Sequence, residues 1–182
     1  VKIKLLTLKQ FIMPTNFYMY FVAAIIPMLV GALYYSPMIT GKGWMKANGF
    51  TEESLKEGNM VVIFGVSYLF SVLLAVTVGG IVIHQSGAAQ MMIPQMLESG
   101  STAQQTFNEL MVTYGDQHRN FGHGVLHGIL AGLMFALPVI GINSLFERRG
   151  WKYIMIHLGY WLITLALMGG LLCKTLVYAP LS

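Results

Sequence analysis

Charge is what this sequence has least of, and the shortage is local. No Asp, Glu, Lys or Arg occurs in residues 17–35, 60–83, 125–146 or 153–173, and all eighteen such residues fall elsewhere. Each stretch is close to the roughly 20 apolar residues an α-helix needs to cross the hydrocarbon core of a bilayer. Charged residues make up 10% of the chain, against about 25% in an ordinary soluble domain. Mean hydropathy is +0.65. These values exclude a soluble bundle, and four spans in 182 residues leave little for a separate soluble domain. The expectation is one all-α, polytopic membrane domain over residues 1–182 with four transmembrane helices.

Other absences narrow function. A single cysteine, Cys173, rules out an internal disulfide; at the end of an apolar helix it reads as a small buried hydrophobe. Charged residues inside spans, which commonly mark ion paths and proton relays, are missing. So are CxxC and HExxH motifs, a nucleophile–base pair and a phosphate loop; Gly41-x-Gly43 is too short for the last. A non-enzymatic role is therefore expected. The sequence pI of about 9.2 comes from bases flanking the spans, among them Lys2, Lys4, Lys9, Arg148, Arg149 and Lys152. Membrane orientation and anionic headgroups select such flanks, so no nucleic-acid partner is expected.

The first span closes on Tyr34-Tyr35-Ser36-Pro37, aromatic residues at headgroup depth followed by a helix stop. Gly41, Gly43 and Asn48-Gly49 read as turns, and Thr51 before Glu52 and Glu53 reads as a short capped helix. The segment preceding the first span resembles a signal peptide. However, the apolar run from Phe17 is too long and no small-residue cleavage site follows, so retention is expected. In the long second loop, Phe107, Leu110, Met111 and Tyr114 share one helical face. Ser101 with Gln104 fits a capping box, which predicts an amphipathic helix over about Thr102 to Tyr114, on the membrane or over the bundle mouth. Met91, Met92, Met96 and Leu97 around Pro94 suggest a short interfacial turn, and Glu147-Arg148-Arg149-Gly150 makes the last two spans a hairpin.

Both halves carry Pro27 to Gly31 or Pro138 to Gly141, then Gly43-Trp44 or Gly150-Trp151, then Gly79-Gly80 or Gly169-Gly170. That order is what a duplicated helical hairpin would leave; chance is the alternative, since Gly and Pro are common in membrane helices.

Two patterns carry candidate sites. Gly124, Gly128 and Gly132 form a small-residue stripe for close packing of a helix from this chain or another. Beside it, His123 and His127 stand one helical turn apart, with His118 and Asp116 upstream. Imidazoles one turn apart plus a further His or carboxylate suit a zinc-like ion, and His84 or a partner chain is a further source of a ligand. The alternative is that these histidines only hydrogen-bond at the interface. Haem ligation by His127 and His157 is allowed by residue type. Asn143 and His157 are the polar residues inside spans on which a small-solute carrier or channel would rest. No cofactor is expected, with zinc or haem as the alternatives.

The stretch from Gly31-Ala32-Leu33-Tyr34-Tyr35-Ser36-Pro37 through Gly41-Lys42-Gly43-Trp44-Met45-Lys46 resembles the first-loop signature of the membrane family called domain of unknown function 1761. So does the last third, through His127-Gly128, Asn143 to Arg149 and Gly159-Tyr160-Trp161. The resemblance implies a small integral membrane protein of about four spans and carries over no site residues. The overall expectation is a packing, oligomeric or accessory-subunit role in a bacterial cytoplasmic (inner) membrane. Its partners would be the lipid bilayer and a second copy or a larger complex.

Overall fold

A computed structural model describes residues 14–178. Helices α1 (Tyr18–Ala23), α2 (Ile26–Tyr34), α3 (Gly41–Asn48), α4 (Glu52–Lys56) and α5 (Met60–Val82) come first. α6 (His84–Met92), α7 (Thr102–Tyr114), α8 (Phe121–Ala131), α9 (Leu137–Phe146) and α10 (Trp151–Thr175) follow. One 3₁₀ turn, Gln95–Leu97, precedes α7, and one π-helical turn, Gly132–Ala136, joins α8 to α9. There is no strand among the described residues.

Among the described residues, three helices are long and apolar enough to cross a membrane: Met60–Val82, Phe121–Phe146 and Trp151–Thr175. The expected first span is not one continuous helix. Pro27 has no N–H to give the Ala23 carbonyl, so the ladder breaks between α1 and α2. The apolar stretch Tyr18–Tyr34 is about 26 Å long at 1.5 Å per residue, short of a core about 30 Å thick. It nevertheless runs along most of α10. At one end Asn16 donates to Thr175 O at 2.7 Å and accepts from Val177 N at 2.9 Å. At the other, Tyr35 OH lies 3.0 Å from His157 Nδ1.

α10 is the central helix. Leu165, Met168, Leu172 and Cys173 on it pack with Ala23, Ala75, Val78 and Val82 into one apolar core. The closest approach is to α8: a Cβ on Gly124 would overlap the Gly169 carbonyl, and one on Gly128 the Leu165 carbonyl. Between membrane helices the gain is van der Waals contact, which only small residues permit at this range. The stripe is thus occupied by a helix of the same chain. Outward, Leu69, Phe70, Leu73, Met134 and Phe135 remain exposed, an apolar girdle suited to lipid.

The connections follow the turn chemistry with one correction. Gly41 and Gly43 lie inside α3, and only Gly49, at φ 74°, ends it in the left-handed conformation. Thr51 caps α4, accepting from Ser54 N. α7 spans the predicted range, with Ser101 Oγ accepting from Gln104 N at 3.2 Å. The returning bond goes from Gly100 N to Gln104 Oε1 at 2.7 Å, one residue earlier than in a standard capping box. Phe107 and Met111 pack on Ala89 and Met96, so α7 lies over α6.

Candidate metal centre

The end of α5 sets the site. Buried Ile83 adopts an extended conformation, φ −104° and ψ 94°, which breaks the helix and starts α6 with His84. Gln85 Nε2 donates to Gly115 O at 2.8 Å and Gln117 O at 3.2 Å, fixing α6 to the turn before α8. In that turn His118 has φ 61°, a left-handed backbone uncommon in residues other than Gly, though Asn, Asp and His adopt it more often than most. Its carbonyl accepts from Asn120 N at 3.0 Å and from the Cys173 thiol at 3.2 Å. The Arg119 guanidinium donates to Leu176 O. Asn120 caps α8, its Oδ1 accepting from His123 N at 2.9 Å.

α8 begins four residues before the expected span, so His123 and His127 occupy its first two turns. Gly124 and Gly128 hold the adjoining face against α10, and a step of about 100° per residue turns the histidine face aside. There it meets His84. The ring centroids are 5.0 Å apart for His84 and His123, 4.8 Å for His84 and His127, and 4.5 Å for His123 and His127. One ligand nitrogen from each of the three lies within 4.8 Å of the others. His84 Nε2 and His123 Nε2 are 2.8 Å apart, a hydrogen bond whose donor depends on the tautomer.

A tetrahedral zinc site with Zn–N of about 2.0–2.1 Å places its nitrogens roughly 3.3–3.4 Å apart. One pair of nitrogens is closer than that, at 2.8 Å, and the three lie within 4.8 Å of one another, a spacing of the order a shared ion needs. Partial loss of solvent lowers the His84 pKa below its ordinary value, and the charges that His127 and His118 would carry lower it further. The neutral, ligating form is favoured.

Of the sequence candidates, His123 and His127 converge with His84. His118 flanks them, its ring stacked on His123 at 4.8 Å and 26°. Asp116 is exposed on the turn and stands outside the compact set. His157 belongs to the other end of α10, among Tyr35 and Tyr153. Gly128 packs at Leu165, eight residues and about 12 Å along α10 from His157, so His127 and His157 do not face one another. Asn143 is exposed. Sequence reasoning missed Gln85 and Asn120 as positioning residues. An Asn immediately before an apolar helix was a usable capping signal; for Gln85 there was none.

A sequence model described as "Protein of unknown function (DUF1761)" matches residues 18–173. No curated protein and no solved structure matches the chain.

Proposed function

The chain belongs to the DUF1761 family, and we propose that it binds a transition-metal ion at the edge of the bilayer through His84, His123 and His127. His118 stands beside them, its ring stacked on that of His123. The observation that carries this reading is the convergence of three imidazoles from segments 39 residues apart within 4.8 Å. Imidazole is a favoured ligand for zinc, copper, iron and nickel, and zinc is the first choice for neutral nitrogen donors in tetrahedral reach. A cavity of about 170 Å³ between α6 and α7, lined by His84, His118, Gln85 and Tyr114, supplies a path for the ion.

In this reading Tyr18–Tyr34 is the fourth span, because its flanking residues tie it along α10 from Thr175 to His157 despite its break. The histidine end then lies opposite the face carrying Lys42, Lys46, Arg148, Arg149 and Lys152. The positive-inside rule puts that basic face in the cytoplasm and the histidines outside. A multi-helix chain of this kind suits a bacterial cytoplasmic membrane better than an outer membrane, whose typical spanning proteins are barrels. The glycine stripe is used within the chain, so a role in assembly would need another face.

The test is metal content of the full chain purified in detergent without added chelator. Near-stoichiometric zinc, lost in His84→Ala and in the His123→Ala, His127→Ala double variant, supports the site. Wild-type protein that retains no metal after equilibrium dialysis against zinc overturns it.

A further inference from the structure

The lipid side of the histidine cluster opens onto a second, larger cavity. It measures about 550 Å³ and runs between α5, α8–α9 and α10, within the size range of sites for small ligands. His127 forms its polar end, and Ile140 lies 13 residues further along the same span, about 20 Å at helical rise. Between them the wall is apolar. The Thr77 hydroxyl is already spent on Leu73 O at 3.1 Å, and no charged residue lines the space.

Two backbone features open it. The π turn Gly132–Ala136 adds a residue to its turn, and Met134 and Phe135 on it line the cavity at its exposed rim. α5 packs on α8 but at most loosely on α9, and the cavity lies between α5 and α9. The cavity is therefore long, apolar, open to the bilayer and polar only where a metal ligand stands.

We propose that this cavity holds one acyl chain of an amphiphile drawn from the bilayer, with the oxygen-bearing head of that molecule at the metal beside His127. The inference rests on the metal reading and names the ligand class of that site. Length and apolarity fit a single chain, and the space between α5 and α9 provides access without leaving the membrane. The metal side supplies the complement for an oxygen ligand, a carboxylate above all. His84 and His118 face water through the smaller cavity while His127 faces the acyl cavity, so the cluster is the boundary between the two.

Trp161 lines the cavity and reports on it. In the full chain carrying Trp44→Phe and Trp151→Phe, it is the remaining tryptophan of the three. Titration in detergent with a dibrominated long-chain fatty acid should quench its fluorescence saturably, to below about half. In protein first stripped of metal with a chelator, restoring one equivalent of zinc should tighten the half-point at least several-fold. The gain should be absent for a dibrominated fatty alcohol and for the His123→Ala, His127→Ala variant. A brominated phosphatidylcholine that shows the same zinc effect would identify a phospholipid head as the source of the oxygen. Ala136→Phe and, from the opposite wall, Leu74→Phe should each weaken quenching about tenfold or more, whereas outward-facing Leu69→Phe should leave it unchanged. Quenching that rises without saturation and ignores both wall variants indicates annular contact only, and overturns the inference. Saturable quenching that zinc does not tighten overturns it as well. Zinc content measured on the same samples separates the two readings. Retained zinc without saturable quenching removes this inference alone, and absence of zinc removes the metal reading with it.

Discussion

Gly124 and Gly169 cross backbone to backbone, each placed so that a Cβ on it would overlap the carbonyl of the other. This crossing holds α8 against α10 and fixes the face on which His123 and His127 stand. The histidine geometry is thus a consequence of glycine packing one residue away.

Gly128→Leu should force α8 from α10, because the new side chain meets the Leu165 carbonyl and the backbone of Ala166. Overpacking of this kind costs about 1–3 kcal/mol or more, seen as a clear fall in thermal stability in detergent. Leu130→Ile should be mild. Gly141→Ala, where a Cβ meets nothing within 4 Å, should be neutral or slightly stabilising. Equal stability of Gly128→Leu and wild type would refute the packing.

Metal affinity should rank the histidines. Loss of His84, His123 or His127 should weaken zinc binding by more than the roughly 10–100-fold that outer-shell changes cost, and His118→Ala by less. Asp116→Asn should change nothing, because Asp116 stands outside the cluster. A chelator-dye competition assay reads all five variants. An Asp116→Asn defect as large as that of His84→Ala would redraw the site.

The difference between legible and illegible parts lies in how local the cause is. α7 could be read to both ends because its cap and apolar period sit within fifteen residues. The break in the first span also has a local cause, Pro27, but a run of charge-free residues masks it in any hydropathy reading. α3 was hidden because Gly41 and Gly43 resemble turns, although Gly41 is placed by contact with the Tyr35 and Ser36 backbone. For the site, i, i+4 spacing revealed His123 and His127 as a pair. The approach of His84 depends on the bend at Ile83 and on Gln85 gripping a turn 30 residues away, which no spacing encodes. The π turn gave no signal of its own.

Zinc retention should fall with acidity in a definite direction. Only neutral imidazoles ligate, so protons compete with the ion. A His84 pKa held below the usual value keeps that ring neutral further into acid. Binding is then strongest where the rings are neutral, above about pH 6.5, the ordinary histidine value, and is lost as pH falls below it. A zinc-release titration from about pH 7.5 down to about pH 5 follows this loss. Retention that stays flat over this range would show that the ion sits on groups other than histidine.

Sidedness follows from the same arrangement. The short loops and α3 carry Lys42, Lys46, Lys56, Arg148, Arg149 and Lys152, whereas the described part of the histidine end has Arg119 and Lys174. Arg119 donates to the Leu176 carbonyl, so part of its charge is engaged within the protein. Lys2, Lys4 and Lys9 lie outside the described residues and oppose the bias in sequence. The positive-inside rule weighs short loops near span ends most, so α6, α7 and the histidines are expected outside. Ser101, at the start of α7, is the reporter. A Ser101→Cys variant, with Cys173→Ala to remove the native thiol, should react with a membrane-impermeant maleimide in intact cells. Arg149→Cys in the same background should react only after permeabilisation. The reverse pattern would put the histidine cluster in the cytoplasm, and the ion would then have to come from the cytosolic pool.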